Sequence, residues 1–459
     1  AINQFLNGAV LSMPAFGGLG RVDAIGGGSV KYILCLACLG ACVAAARGAE
    51  GPNKIEFSTG DRVALIGNDF FDREQNDGYI ETALTSRFFD KGIKFRNLGY
   101  SGDTVWAQAR NLCSGWDQFG PPDQGFKRLE KLVDEFNPTI VFVAYGMNES
   151  FDGPNGLEHF TKGLERMVDM LTDQGEYFGR DKKARSGKVV LVSPICHEDL
   201  GAPLPDPSEH NRQLRTYIAA MQAVAKKRDL GFINLFEATS EVTGGDSKLT
   251  TDGIHLTPYG YWRVATAMER AMGYAPRTWR VEVDAKETAI TAEGTQVSDV
   301  KREKTGLAFT ARDGMLPFPP PIKSAPASVL NGTQVFPGQE RVLKVTGLQP
   351  GQYELKSEGR TICIAAAEEW ARGVQLLTTP ADQQAEALRA RVVAKEFDYF
   401  NYWRSENDTY IFGYRKHEQG RNAGEVPNFL NLLKEKEAQV EAVAVPDMHG
   451  YELTLKAGK

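Results

Sequence analysis

Between residues 61 and 274, short hydrophobic runs alternate with longer segments whose apolar residues recur at helical spacing. Five hydrophobic runs predict β-strands, at residues 62–66, 93–98, 139–144, 189–192 and 232–235. Helices are predicted in the intervals, at residues 79–89, 126–135, 157–171, 209–228 and 259–272. The run at 139–144 is apolar on both faces, which is typical of a central strand covered by helices. Strands that alternate with helices predict an α/β fold with a doubly wound, parallel, five-stranded sheet over residues 58–275.

The pattern changes beyond residue 275. Residues 276–365 are rich in Pro, Gly and alternating apolar and polar positions, and they predict a small β module. Residues 366–459 return to polar, mainly helical patterning, with an aromatic and charged block between 399 and 419. These aromatic residues could stack on sugars, but packing into a domain interface is the more common use of such residues.

Residues 1–46 are interpreted as a secretory leader with an upstream extension, so the protein is expected to be secreted or periplasmic. Lys31 precedes an apolar run at 32–43, and Ala44 begins three consecutive alanines that suit a cleavage site. The run is too short to span a bilayer comfortably. Two alternatives remain open, a buried core helix and a lipoprotein signal in which Cys42 becomes the anchored N-terminus.

Composition narrows the class of protein. The chain has 459 residues, of which 24% are charged and 42% hydrophobic, as in a soluble globular protein of two or three domains. The net charge of −6 and the lack of a long basic run argue against nucleic acid or an anionic membrane as the main partner. Outside the leader, Cys113, Cys196 and Cys363 allow at most one disulfide, so the fold is not a disulfide scaffold. The oligomeric state is not predicted.

A metal site is not predicted. His197, Glu198 and Asp199 follow the fourth predicted strand and could face a cleft there. Adjacent residues cannot all point in one direction, however, so this run is not interpreted as a ligand set. No cofactor is implied by the sequence.

Four short segments carry the candidate chemistry, at residues 67–69, 100–104, 145–149 and 252–257. Each follows a predicted strand or precedes a predicted helix, and ligands of parallel sheets bind at the carboxyl ends of the strands. In the last segment Asp252 lies three residues before His255. That spacing suits an Asp that orients an imidazole and a His that acts as a general base.

In this order, the four segments resemble the sequence blocks of the SGNH (GDSL-like) hydrolases, over roughly half of the chain. The resemblance implies that Gly102 and Asn148 donate hydrogen bonds to an oxyanion, that His255 is the base and that Asp252 orients it. The first block departs from the family pattern, because Asp69 stands where the family has its nucleophilic Ser.

Three interpretations of this departure remain open. Asp69 could attack a carbonyl or activate water together with His255, although a carboxylate opposes the charge that an oxyanion hole stabilises. A hydroxyl could be recruited instead, from Ser101, Thr104 or Ser150. Alternatively, the site has lost catalysis and retained binding.

Simpler structural roles are also possible for each candidate. Asp69 could cap a helix, as could Asp103, and Gly102 could be a turn residue. Asn68 and Glu149 are expected to contact a polar substrate, although Asn68 could equally cap a turn.

The whole chain resembles secreted SGNH-like proteins of planctomycete bacteria that carry a β module and a helical tail. The resemblance implies a secreted ester hydrolase that acts on a small-molecule or carbohydrate ester. The natural substrate class is an acylated polysaccharide, from which the enzyme would remove acyl groups. The alternative is a catalytically inactive protein that binds carbohydrate in the inherited cleft.

Overall fold

The computed structural model describes residues 55–111, 123–172, 187–240, 248–332, 340–405 and 407–456. The predicted leader at residues 1–46 lies outside the described residues, as does Cys113. Among the described residues, no helix is both long enough and apolar enough to cross a membrane.

Five parallel strands between residues 62 and 233 form one sheet, with the order β2-β1-β3-β4-β5. The strands are β1 (Arg62–Gly67), β2 (Lys94–Gly99), β3 (Ile140–Ala144), β4 (Lys188–Val192) and β5 (Gly231–Ile233). Alternate residues of each strand enter two hydrophobic clusters, one on each face of the sheet. The fold predicted from the sequence, a doubly wound five-stranded α/β sheet, is therefore confirmed.

Helices cover both faces of this sheet. They are α1 (Asp69–Asp77), α2 (Tyr79–Arg87), α3 (Gln124–Phe136), α4 (Gly153–Thr172), α5 (Ser208–Arg228), α6 (Leu235–Ser240) and α7 (Pro258–Ala271). The sequence pattern predicted that the first helix begins at residue 79, and this was wrong. Helix α1 is mostly polar and lacks a clear apolar stripe, so its periodicity does not reveal it. Gly78 separates α1 from α2 in a left-handed conformation, with a φ of +66°.

Two further sheets follow. One has the order β13-β10-β6-β7 and the other the order β12-β11-β14-β9-β8. Their strands are β6 (Thr278–Asp284), β7 (Ile290–Glu293), β8 (Thr295–Glu303), β9 (Gly306–Asp313), β10 (Glu340–Thr346), β11 (Gln352–Ser357), β12 (Arg360–Ala366), β13 (Val374–Gln375) and β14 (Met448–Leu455). The two sheets share one hydrophobic cluster.

The remaining helices are α8 (Ala327–Leu330), α9 (Ala367–Arg372), α10 (Pro380–Trp403), α11 (Asp408–Ile411), α12 (Lys416–Gln419) and α13 (Phe429–Ala444). Helix α10 packs near the parallel sheet, where Tyr399 and Trp403 are buried in a hydrophobic cluster with residues of that sheet. The ammonium of Lys395 lies 2.6 Å from Glu81, and both side chains are buried. Tyr399 and Trp403 therefore pack inside the protein, between helix α10 and the parallel sheet.

Candidate active site

The four segments singled out in the sequence lie at one edge of the parallel sheet. The first three follow β1, β2 and β3, and the fourth precedes α7. Two glycines allow the close approach that this edge requires. A Cβ atom on Gly67 would lie 2.4 Å from the carbonyl oxygen of Ala144, and one on Gly99 would lie 2.2 Å from the backbone nitrogen of Asp72. Gly67 at the end of β1 therefore lets β3 approach, and Gly99 at the end of β2 lets α1 approach, so that they can form a common site.

Asp252 fixes the imidazole of His255. The Nδ1 atom of His255 lies 2.6 Å from Oδ2 of Asp252, and the backbone N–H of His255 donates to Oδ1 of Asp252 over 2.9 Å. Partial burial raises the pKa of Asp252, but the hydrogen bonds from His255 and Ile254 outweigh it, so the pKa is lower than usual. A carboxylate at Nδ1 leaves Nε2 as the nitrogen that can accept a proton.

Asp69 lies in front of that second nitrogen. Its Oδ1 is 3.5 Å from Nε2 of His255, and its Oδ2 accepts a hydrogen bond of 2.9 Å from the backbone N–H of Gly102. Burial raises the pKa of Asp69, but the backbone hydrogen bonds and the nearby imidazole outweigh it, so the pKa lies below its usual value. Asp69 is therefore a carboxylate at neutral pH, held between an imidazole and a backbone donor.

The two expected oxyanion donors each have a protein partner. Gly102 donates its N–H to Asp69, and Nδ2 of Asn148 donates to the carbonyl of Asp103 over 3.0 Å. The amide of Asn148 carries two N–H groups, so one remains for another acceptor. The N–H of Gly102 is committed to the carboxylate of Asp69.

A pocket of about 240 Å³ opens between these groups. Its polar lining includes Asn68, Asp69, Asn148, Ser193 and His255. Its apolar lining includes Phe70, Met147, Pro194, Ile195 and Ile254. Apolar walls with a few convergent polar groups are typical of small-molecule sites, although this volume lies just below their usual range of about 300–1,000 Å³.

Asn68 has two roles in the structure. Its Oδ1 accepts from the backbone N–H of Phe70 over 3.3 Å, so Asn68, and not Asp69, is the residue that caps α1. Its Nδ2 is buried, has no hydrogen-bond partner among the described residues, and belongs to a side chain that lines the pocket. Contact of this amide with a substrate stays a prediction.

Glu149 was expected to contact substrate, but its carboxylate accepts hydrogen bonds from backbone N–H groups instead. The side chain is buried, and its two oxygens accept from the backbone N–H groups of Val105 and Gly146 at 2.9 and 2.8 Å. Burial raises the pKa of Glu149 to about 7, in spite of these hydrogen bonds. Glu149 therefore ties the second and third segments together and does not line the pocket.

None of the three candidate hydroxyls is bonded to His255. Ser101 donates to Asp72, and Thr104 donates to Oε1 of Gln108 over 2.6 Å. Ser150 is buried and lies 2.8 Å from Nε2 of His210. The group beside Nε2 of His255 is a carboxylate and not a hydroxyl.

Several residues that support the site were not identified from the sequence. The carboxylate of Glu198 accepts from the backbone N–H groups of Leu249 and Thr250 at 3.1 and 2.8 Å, and so anchors the loop that carries His255. Buried Asp103 was a possible helix cap, but it pairs with Arg110 at 2.7 Å and holds the second segment. The partners of Glu198 are backbone groups distant in sequence, and the pairing of Asp103 with Arg110 follows no motif, so the sequence does not mark these contacts.

Side-chain contacts also connect the C-terminal region with the candidate site. Arg404, at the end of α10, lies 2.8 Å from Asp72, whose other oxygen accepts from Ser101 beside Gly102. The guanidinium of Arg404 also lies 3.6 Å from the ring centre of Tyr100. The C-terminal region thus supports the loop that carries Gly102.

No cluster of three or more His, Cys, Asp or Glu side chains suited to a metal ion occurs within the described ranges. Nδ1 of His197 faces Nδ1 of His210 at 2.9 Å. Burial and the neighbouring His197 lower the pKa of His210 to about 4, which keeps this imidazole neutral at ordinary pH.

Residues 60–263 match the sequence model of the GDSL-like Lipase/Acylhydrolase family. This part of the chain is similar to the GDSL-like hydrolases, and residues 60–263 are called the GDSL-like domain below. The match includes the strand ends and the loop that together supply Asp69, Gly102, Asn148, Asp252 and His255. The sheets that begin at β6 lie beyond it. No curated protein matches the chain.

Solved structures resemble the chain in fold. BT4096, described as a gut microbial diltiazem-metabolizing enzyme, has a TM-score of 0.67 at 18% identity, and the match covers 88% of this chain and 100% of that one. Axe2, an acetylxylan esterase from Geobacillus stearothermophilus, has a TM-score of 0.36 at 19% identity, with 48% of this chain and 97% of that chain covered. LAE5, an alpha/beta hydrolase enzyme from the metagenome of Lake Arreo, Spain, has a TM-score of 0.35 at 18% identity, with 47% and 97% covered. The first of these likenesses extends beyond the GDSL-like domain to most of the chain.

Proposed function

We propose that the protein is a secreted hydrolase of esters with a short acyl group, of the kind found on acylated carbohydrates. The observation that supports this most strongly is the alignment of Asp252, His255 and Asp69 at the mouth of a small, largely apolar pocket. An orienting carboxylate, a base and a pocket lined by amide groups are the parts that acyl transfer to water needs. Secretion rests on the leader-like sequence at residues 1–46 alone.

In this proposal, water takes the place of the serine nucleophile. The unprotonated Nε2 of His255 removes a proton from a water molecule held beside Asp69, and the water oxygen attacks the ester carbonyl. The same imidazole then gives its proton to the departing alcohol oxygen, so that ester and water become acid and alcohol. Asp252 stabilises the imidazolium formed between these two steps.

The second N–H of Asn148 and the unpartnered Nδ2 of Asn68 are the donors assigned to the developing oxyanion. Both side chains line the pocket, whereas the N–H of Gly102 is committed to Asp69. Direct attack by Asp69 is less favourable on this geometry. The carboxylate would have to give up Gly102, its strongest donor, to the oxyanion as the bond forms.

A second function is favoured by one specific observation. The carboxylate of Asp69 already satisfies the N–H of Gly102, and its negative charge opposes a second oxyanion nearby. A protein that has lost catalysis and binds an acylated carbohydrate in the same pocket would keep such a closed arrangement.

Asp69→Asn and His255→Ala separate these two functions. The assay is hydrolysis of 4-nitrophenyl acetate, propionate and butyrate and of peracetylated xylose, with kcat/KM as the readout. For a hydrolase, each variant should lose activity by about 10³-fold or more, since both groups act on the attacking water. Asn at position 69 can still accept from Gly102, so the fold should survive.

Asp103→Asn is not a useful control, because it would break a buried ion pair. Ser240→Ala is the matched control, because Ser240 lies on α6 and does not line the pocket. The binding function is supported instead if the wild-type protein hydrolyses none of the four esters, if acetylated xylo-oligosaccharides bind to it, and if His255→Ala weakens that binding, because His255 lines the pocket.

A further inference from the structure

Two buried histidines that the proposed mechanism does not use connect two segments of the pocket lining. His197 lies in the segment after β4 and His210 lies on α5, and their side chains are 7% and 9% exposed. Neither histidine lines the pocket, whereas residues 147–148 and 254–255 do. Contacts of the two histidines reach both of these segments or their immediate neighbours.

His210 is fixed to the segment that carries Asn148. Oγ of Ser150 lies 2.7 Å from the carbonyl oxygen of Met147 and 2.8 Å from Nε2 of His210. A carbonyl oxygen can only accept, so the hydroxyl proton of Ser150 is used in that bond and Nε2 of His210 donates to Oγ. The ring of Phe151 stacks on the imidazole of His210, with 3.8 Å between the ring centres. His210 is therefore held at one edge and at one face of its ring.

His210 is hydrogen-bonded in turn to His197. The Nδ1 atoms of the two rings lie 2.9 Å apart, so one proton lies between them. A neutral imidazole carries a single N–H, and in His210 it is at Nε2, so Nδ1 of His197 is the donor and Nδ1 of His210 accepts. Burial lowers the pKa of His197, although Asp252 and Asp199 act in the opposite direction. With the pKa of His210 at about 4, both rings are neutral at ordinary pH and the bond between them is kept.

The ring of His197 packs on the loop that carries His255. A Cβ atom on Gly253 would lie 2.7 Å from both Cδ2 and Nε2 of His197, so the imidazole rests directly on the backbone of this glycine. The φ of Gly253 is +101°, a conformation that side chains other than glycine rarely adopt. The backbone N–H of Glu198 donates to the carbonyl of Gly253 over 2.9 Å. Gly253 therefore brings the loop against residues 197–198.

Helix α5 also holds the main chain of His197. Oδ1 of Asn211 accepts from the N–H of His197 over 2.9 Å, and Nδ2 of Asn211 donates to the carbonyl of His197 over 2.8 Å. Asn211 follows His210 directly on α5, so two consecutive residues of one helix fix the backbone and the ring of His197. The ring is thereby kept against Gly253.

We propose that His197 and His210 are positioning residues, which keep the loop at 249–257 at a fixed distance from the segment that carries Asn148. The proposal rests on the proposed function, in which His255 activates water and Asn148 donates to the oxyanion of the same substrate. A displacement of about 1 Å between groups that act together can lower the rate by about 10²-fold. A direct connection between the two segments therefore has a large effect on turnover.

His197→Phe and His210→Phe test the connection. Phe keeps a planar ring at each position, against Gly253 or against Phe151, but removes the hydrogen bond between the two rings. The kcat for 4-nitrophenyl acetate should fall by about 10- to 100-fold in each variant, while KM should change by less than about three-fold. The double variant should lose little more than the more affected single variant, because both changes break the same series of contacts.

Hydrogen exchange of the full chain, followed by mass spectrometry, gives a readout that does not need hydrolysis. Amide exchange at residues 249–257 should become about five-fold faster or more in each Phe variant, while exchange at 140–144, in the central strand, stays at the wild-type rate. His449→Phe is the matched control. His449 is also 7% exposed and its Nδ1 is 2.8 Å from Glu358, but it lies on β14, so loop exchange and kcat should not change.

Three results would overturn the proposal. They are unchanged exchange at 249–257 in the folded variants, faster exchange there only together with faster exchange at 140–144, and a double variant whose loss of kcat is the product of the two single losses. Either Phe variant is sufficient for the exchange comparison if the other fails to fold. A wild-type protein that hydrolyses no ester would refute the proposed function, and the exchange comparison would still decide whether the two histidines hold the loop.

Discussion

Replacing Asp69 by serine tests whether Gly102 and Asn148 can form an oxyanion hole once the carboxylate is removed. In the wild-type protein, Oδ2 of Asp69 occupies the N–H of Gly102 at 2.9 Å. Asp69→Ser removes that acceptor and its charge, and leaves a hydroxyl on the side of His255. The N–H of Gly102 then becomes available to a substrate oxygen, next to the free N–H of Asn148.

The expected magnitudes follow from these contacts. One oxyanion donor contributes about 10²–10³ in kcat, or about 3–4 kcal/mol. The loss of a charge-assisted hydrogen bond to a side chain that is 24% exposed should cost about 1–2 kcal/mol of the free energy of unfolding. That is small beside the roughly 5–15 kcal/mol typical of a folded domain, so the variant should remain folded.

The assay is covalent labelling with a fluorophosphonate, followed by intact-mass spectrometry. The hydroxyl introduced by Asp69→Ser would displace fluoride from phosphorus and pass its proton to His255. We expect one label per chain in Asp69→Ser, and none in the wild type, in Asp69→Ala or in the double variant Asp69→Ser, His255→Ala. A folded Asp69→Ser protein that takes up no label and hydrolyses no aryl ester would refute the inference that Gly102 and Asn148 form a usable hole.

Three other carboxylates give simpler predictions. Glu198→Gln would place an amide N–H against the N–H of Thr250, so we expect unfolding in urea to become easier by about 1–3 kcal/mol and ester hydrolysis to fall as the loop loosens. Glu149→Gln presents the same mismatch to one of the two backbone donors of Glu149, and a thermal midpoint equal to that of the wild type would contradict the role given to that residue. Burial raises the pKa of Asp77 to about 6 from an ordinary 3.8, so the folded state holds this proton more tightly than the unfolded chain. Stability should therefore fall as the pH rises from about 4 to about 6, and Asp77→Asn should remove that part of the pH dependence in urea titrations.

The sequence predicted those features of the fold that depend on local pattern. The five strands of the parallel sheet were confirmed, because long apolar runs have few alternatives to a covered sheet. Helix α1 was missed because it is short and polar and is stabilised by the cap at Asn68 and by packing. The last strand, β14, lies in a region whose sequence pattern is mainly helical, and its pairing depends on strands that are distant in sequence.

In the candidate site, too, the contacts set by local sequence could be predicted and the long-range contacts could not. The pairing of Asp252 with His255 is set by a three-residue spacing, so it could be predicted directly. The neighbours of Asp69 could be predicted only from the rule that the carboxyl ends of parallel strands lie at one edge of a sheet. The buried position of Glu149 could not, because its partners are backbone N–H groups that have no sequence signal. The support that Arg404 gives through Asp72 is likewise long-range and invisible to a motif.

The position of β14 also has a consequence for how the protein folds. Strand β14 lies between β9 and β11, which are synthesised earlier, and helices α8 to α13 separate it from β9 along the chain. Until residue 455 leaves the ribosome, β9 and β11 each present an unpaired edge to the solvent. Long-range closure of this kind is slow, and open strand edges invite pairing with other chains. The nascent protein therefore passes through a stage in which its GDSL-like domain can be complete while the neighbouring sheet is still open, and chaperone binding at that stage would protect the edges until the strand inserts.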